Sequence, residues 1–158
     1  PPSASVVSQE KNIVTMASEP VISALDAGLI PIVQGDVAFD RHQGSTIVST
    51  EQVFEFLAPL LKPSLVLLAG IEEGVYADYP TCESVIPHLT ERNIQEYNIE
   101  ASAARDVTGG MAAKVQQALS LCRLAQNLEV RIFSGMRDGA IRDALNGSPV
   151  GTLITSCT

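Results

Sequence analysis

The stretch DVTGGMAAK, Asp106 to Lys114, constrains this chain most, because it joins a glycine turn to an amphipathic helix that carries a lysine one turn in. Met111, Val115, Leu119 and Cys122 recur every three or four residues, so a helix is expected from Met111 to about Gln126-Asn127. Its first N–H groups lack intrahelical partners, and the aligned peptide dipoles place partial positive charge at that end. Gly109 and Gly110 let the main chain approach an anion without a Cβ in the way, and Lys114 adds a mobile full charge. Such a unit suits a phosphate. The competing reading is a glycine loop that only starts a helix.

Apolar runs and amphipathic segments alternate along the rest of the chain, which predicts an α/β fold around a largely parallel sheet in one domain, residues 1–158. Ser5 to Val7 and Lys11 to Met16 read as a hairpin turning at Gln9-Glu10, and Pro20 to Ala27 as a short helix ended by Gly28. Leu29 to Val33 is expected to be a buried strand. The polar segment Gln34 to Ser45 is then a loop at a strand's carboxyl end, where open α/β sheets place ligands. Ser49 and Gln52 form a capping-box pattern ahead of a helix with Val53, Leu57, Leu60 and Leu61 on one face, stopped by Pro63. Ser64 to Ala69 is an apolar run suited to a central strand, and Gly70 to Pro80 the loop after it. A short helix with linker is expected over Pro87 to Asn98, a strand over Glu129 to Phe133, and a helix over Ala140 to Leu145 closed by Asn146-Gly147. The last strand is Gly151 to Thr155.

Composition narrows the partners. The formal charge is −8 and the ten Lys and Arg are scattered, which argues against nucleic acid. No run approaches the ~18 apolar residues of a membrane span, and a basic-then-apolar leader is lacking, so a cytoplasmic, soluble protein is expected. Cys82, Cys122 and Cys157 are odd in number and widely spaced, which points to reduced thiols rather than a disulfide framework or zinc site. Only His42 and His88 are present, so a multi-histidine metal site is excluded, and both are read as surface residues.

Four segments, taken in order, resemble the amino acid kinase superfamily: GLIPIVQGDVAFD at Gly28 to Asp40, EEGVYADYP at Glu72 to Pro80, DVTGGMAAK, and FSGMRDGAIRDALNGSPVGTLI at Phe133 to Ile154. Within it they are most similar to the isopentenyl phosphate kinases, with fosfomycin kinases as near relatives. The resemblance implies a three-layer α/β/α sandwich and transfer of the γ-phosphoryl of ATP, with magnesium, onto isopentenyl phosphate. It implies catalytic roles for Lys114, which follows the transferring phosphoryl, and for Glu51, which stands where the family carries the aspartate of Ser-Gly-Asp. The competing role for Glu51 is to favour its helix N-terminus through the dipole. Thr108, Gly109 and Gly110 fall beside the nucleotide phosphates. Gly70, Glu73, Gly74, Val75 and Tyr76 fall near the nucleotide, with Glu73 in place of an aspartate and Tyr76 as a wall for base or ribose, or as a packing residue. Gly135 and Gly139 flank the nucleotide further on, and Gly35 and Asp36 line the phosphate acceptor.

Nothing in the chain matches the family's opening strand, its Lys-x-Gly-Gly-Ser loop, its second glycine loop or its acceptor histidine. The resemblance therefore covers the carboxyl-terminal half, and little kinase activity is expected of this half alone. A homodimer is implied for the full-length protein. A fosfomycin-type small-molecule kinase, or a catalytically inactive nucleotide-binding remnant, is the alternative function.

Overall fold

The structure is a computed structural model, and it describes residues 1–78, 80–97, 99, 110–125 and 127–156. These pack as two compact units, residues 1–61 and 62–158.

The first unit opens with a single turn of helix, α1 (Pro2–Ser5), and a hairpin of β1 (Val6–Gln9) and β2 (Asn12–Met16). The reversal falls at Glu10 and Lys11, both with positive φ, one residue beyond the Gln9-Glu10 expected from sequence. Left-handed backbone is costly for such side chains, and the surroundings hold it. The Lys11 amide donates to the Asp40 carboxylate at 3.0 Å, and its carbonyl accepts from the Gln52 amide nitrogen at 2.9 Å. Helix α2 (Glu19–Asp26) follows and is closed as expected by Gly28, at φ +71°, with the Leu29 amide reaching back to the Ala24 carbonyl.

Two expectations fail in the next stretch. Leu29 to Val33 makes no strand pairing and is not buried: Ile30 is 91% exposed and Ile32 94%. Pro31 has no N–H to give a ladder, and among the described residues no strand pairs with this segment, of which Val33 alone packs against the core of Val6, Ala38 and Val48. Gln34 to Ser45 is no loop either, because Asp36–Asp40 (β3) and Gly44–Val48 (β4) form an antiparallel hairpin from Asp36↔Val48 to Asp40↔Gly44. Only Arg41 to Gln43 turn. Asp40 makes that turn by accepting the His42 and Gln43 amides at 2.9 and 3.0 Å, while Ser8 donates its hydroxyl to the same carboxylate. These donors hold the buried Asp40 carboxyl well below its usual range, the Lys11 amide contributing most and burial opposing.

The sheet order is β2-β1-β3-β4, with β1 parallel to β3. Helix α3 (Thr50–Leu61) covers one face: Val53 and Leu57 pack with Val6, Ala38 and Val48. Leu60, expected on that face, is exposed. Val37, Phe39 and Ile47 alternate onto the other face and are exposed as well.

The second unit holds β5 (Leu65–Gly70), β6 (His88–Leu89), a 3₁₀ turn at Ile94–Glu96, α4 (Gly110–Leu124), β7 (Glu129–Ser134), α5 (Ala140–Leu145) and β8 (Thr152–Thr155). Between Pro87 and Asn98 the expected helix is thus a two-residue strand and a 3₁₀ turn. The sheet order is β5-β7-β8-β6, with β5 parallel to β7, β7 antiparallel to β8, and β6 parallel to β8. The apolar run expected at Ser64 to Ala69 does form a strand, Leu65–Gly70, but at the sheet's edge among the described residues, with Leu65 to Leu68 only half-buried and Ala69 exposed. Phe133, Ala140 and Ala144 form a core with Leu67 and Val150. The α/β class holds, and the sheets are mixed rather than mainly parallel: tight reversals at Glu10-Lys11 and Arg41–Gln43 force antiparallel pairs in the first sheet, and β8 returns against β7 after α5 in the second.

His42 and His88 lie on the surface, His42 3.5 Å from Glu10 and His88 2.9 Å from the Thr155 hydroxyl. Cys82 and Cys122 are free thiols. Burial pushes the Cys122 thiol up to about 11. No helix among the described residues is long and apolar enough to cross a membrane.

Candidate functional site

Within the second unit, the residues singled out from sequence collect at one end of the sheet. Strands β5 and β7 run parallel and in register to Gly70↔Ser134, so their carboxyl ends coincide. The Gly135 amide donates to the Gly70 carbonyl at 2.8 Å, and the Ser134 hydroxyl donates to the Ile71 carbonyl at 3.2 Å. A Cβ on Gly135 would sit 3.2 Å from that of Ala69, tight but not prohibitive. Because β8 runs against β7 from Thr152↔Ile132, its first residues lie at this same end.

There the loop leaving β5 presses onto β8. A Cβ on Gly74 would stand 2.6 Å from Val85 Cγ1 and 2.8 Å from Thr152 Oγ1, so only glycine fits without displacement. The buried Val75 donates its amide to Thr152 Oγ1 at 2.8 Å and accepts at its carbonyl from the Ile86 amide at 2.8 Å. Tyr76 is half-buried and bridges to Val85. Beyond it the Ala77 amide reaches the Ser84 carbonyl, and Asp78 accepts the Glu83 and Ser84 amides, which lowers its carboxyl's proton affinity, Ser84 contributing most. Glu72 and Glu73, on the exposed bend before Gly74, are free of ion pairs among the described residues. Gly139 sits at the head of α5 with φ +79°.

The topology brings Lys114 toward this end as well. Helix α4 packs on β7 and β8, and the Cys122 thiol donates to the Ile154 carbonyl at 3.5 Å, where Ile154 pairs with Val130 near the start of β7. From Cys122 back to Lys114 the helix rises roughly 12 Å, and from Val130 to Ser134 the strand advances roughly 13 Å. A helix returning along β7 would thus carry Lys114 toward the strands' carboxyl ends. Lys114 is exposed and makes no ion pair among the described residues. Gly110 opens α4 buried and with φ +59°, a conformation that suits glycine. Thr108 and Gly109 lie outside the described residues.

The acceptor candidates gather within the first unit. A Cβ on Gly35 would fall 2.5 Å from the Val48 carbonyl and 2.6 Å from the Thr50 nitrogen, so the chain there lies flat against the start of α3. The Gly35 amide donates to Thr50 Oγ1 at 3.2 Å, and Asp36 accepts its neighbour Val37's amide at 2.7 Å. The capping box is formed in both directions: the Gln52 amide donates to Ser49 Oγ at 3.1 Å, and the Ser49 amide to Gln52 Oε1 at 3.0 Å. Glu51 is half-buried in the first turn of α3, where the helix dipole favours its charge. One turn on, burial and then the charge of Glu51 raise the Glu55 carboxyl. Gly35, Asp36 and Glu51 thus share one end of their unit.

Three hydroxyls escaped the sequence reading. Thr152, Ser134 and Thr50 each bond to a segment the sequence reading did assign, and both partners of the Thr152 hydroxyl and the Ile71 acceptor of Ser134 are more than sixty residues away. The only local hint is position, since Thr152 follows a glycine at a strand start.

A model of the amino acid kinase family matches residues 2–134. The isopentenyl phosphate kinase of Methanothermobacter thermautotrophicus is 31% identical over 142 residues, 84% of this chain and 51% of that protein. That of Methanocaldococcus jannaschii is 30% identical over 156 residues, 97% of this chain and 55% of its own length. A solved isopentenyl phosphate kinase matches 98% of this chain and 57% of its own with a TM-score of 0.76, at 24% identity, which speaks to the fold. The chain spans about half the length of the curated relatives it matches. A family model matched over residues 2–134, with relatives at about 30% identity over most of the chain, leads to one assignment: the chain belongs to the amino acid kinase family.

Proposed function

We propose that this chain forms the nucleotide side of an ATP-dependent phosphotransferase that converts isopentenyl phosphate to isopentenyl diphosphate, releasing ADP. The observation that carries the reading is the meeting of Gly70 and Gly135 at the coinciding carboxyl ends of β5 and β7, with Gly74 on the loop that leaves β5 there and Lys114 exposed on α4. Gly70 has open space where a Cβ would stand, so a phosphate can approach the main chain there, and an exposed ammonium is able to follow a phosphoryl group as its negative charge redistributes. In a protein of net charge −8 such a local cation also sets where an anion settles.

The donor set suits magnesium carried on the nucleotide. Magnesium is usually held by one or two carboxylates plus substrate phosphates, and Glu72 and Glu73 are two exposed carboxylates beside Gly74. When bound, the ion neutralises phosphate charge. Glu73 and Glu72 would hold it, Lys114 would meet the transferring group, Tyr76 would border the base or ribose, and Gly35 and Asp36 would line the acceptor near Glu51.

A second reading is nucleotide binding without transfer, and one observation favours it: the Gly35 amide is already taken by Thr50 Oγ1, in a segment where the family places Ser-Gly-Asp. Phosphoryl transfer from ATP, with isopentenyl phosphate and fosfomycin offered side by side to the protein that carries this chain, separates the two. Turnover of isopentenyl phosphate is expected. Turnover of fosfomycin alone would change the acceptor, and none with either would leave the binding role.

A further inference from the structure

We infer that Thr152 is a positioning residue for the nucleotide, acting through the Gly74–Tyr76 loop; the inference rests on the nucleotide reading of that loop. Thr152 is fully buried, and its hydroxyl uses both its capacities. It accepts the Val75 amide at 2.8 Å and donates to the Ile86 carbonyl at 2.7 Å. The Ile86 amide closes the ring by donating to the Val75 carbonyl at 2.8 Å. One side chain on β8 thus fixes the backbone of both arms of the segment that runs from Val75 to Ile86.

The neighbouring glycines show how tightly the arrangement is set. Gly74 approaches so closely that a Cβ would stand 2.8 Å from Thr152 Oγ1 and 3.2 Å from its nitrogen. Gly151, at φ +64°, has no room for a Cβ at all, since it would lie 2.1 Å from the Ile132 carbonyl. Thr152 is therefore held in place by the β7–β8 ladder, and it passes that rigidity to Val75. Val75 and Ile86 are themselves buried, so water does not replace the hydroxyl when it is removed. The loop then leaves β8 to satisfy its amide elsewhere, and Tyr76, the next residue, moves with it.

Thr152 touches no proposed ligand, which makes its role separable from direct contact. Thr152→Val keeps the shape and removes the hydroxyl, whereas Thr152→Ser keeps the hydroxyl. Calorimetric titration of magnesium-ADP into each folded chain is expected to give a dissociation constant raised about tenfold in Thr152→Val and within about threefold of wild type in Thr152→Ser. Amide exchange at Val75 is expected to accelerate at least about tenfold in Thr152→Val alone. Should Thr152→Val not fold, Gly74→Ala, which pushes the loop off Oγ1 from the other side, is expected to show the same weakened binding. Wild-type affinity in Thr152→Val or in Gly74→Ala, or binding by Thr152→Ser as weak as in Thr152→Val, would overturn the positioning role. A wild-type chain that takes up no magnesium-ADP would overturn the nucleotide reading itself, and this role with it.

Discussion

The Asp40 carboxylate accepts the backbone amide of Lys11 at 3.0 Å, tying the tips of two hairpins that lie 29 residues apart in the chain. The same carboxylate also holds the His42 and Gln43 amides and the Ser8 hydroxyl, so one buried charge organises one end of the first unit's sheet.

That relationship fixes a pH dependence. Because the folded-state pKa of Asp40 lies below its unfolded value, the stabilisation is present above the ordinary carboxylate range and is lost as pH falls through the folded value. Asp40→Asn carries no such titration. It is expected to be less stable than wild type at neutral pH, with the gap closing between about pH 5 and pH 2. Urea denaturation across that range checks it, and parallel stability curves would contradict it.

The capping box of α3 is the part of the fold most legible from sequence, because its two bonds join Ser49 to Gln52 across three residues. Ser49→Ala is expected to cost about 1 kcal/mol. Gln52→Ala should cost more, since Gln52 also holds the Lys11 carbonyl. Equal midpoints for the two variants in chemical denaturation would argue against that added tie.

Leu57 and Leu60 look alike in sequence, and the structure separates them. Leu57 packs with Val6 and Val48, whereas Leu60 is 51% exposed. Truncating Leu57 to alanine is expected to cost about 2–5 kcal/mol, and the same change at Leu60 only about 0.5 kcal/mol. Similar losses at both sites would place Leu60 in the core after all.

Glycine positions offer a matched test of crowding. Gly151 and Gly147 both have positive φ, but an added Cβ meets the Ile132 carbonyl at 2.1 Å in the first and nothing within 4 Å in the second. Gly147→Ala is expected to cost about 1–2 kcal/mol, the penalty of left-handed backbone alone. Gly151→Ala should cost on the order of 4 kcal/mol because the strand must move. Thermal unfolding of the pair reads the difference.

What sequence conveys here is mostly local. Turn glycines at Gly28 and Gly147, the helix starting at Gly110 and the run Leu65–Gly70 follow from neighbours a few residues away. The hairpin of β3 and β4 was obscured because Arg41 to Gln43 made the whole segment look polar, while the alternation of Val37 and Phe39 with Ala38 and Asp40 carried the strand signal. The exposure of Ile30 and Ile32 and the edge position of β5 depend on which strands lie alongside, information that an apolar run does not contain. In the candidate site the glycines were legible and the Thr152 hydroxyl was not, since its partners Val75 and Ile86 are 77 and 66 residues away.

The proposed nucleotide cradle is tested most directly by titrating magnesium-ADP into the wild-type chain and into Lys114→Ala in a calorimeter. Single-site binding by wild type, weakened about tenfold by loss of the ammonium, is the expected outcome. No binding by wild type, or an affinity unchanged by the substitution, would contradict the placement of the nucleotide phosphates beside Lys114.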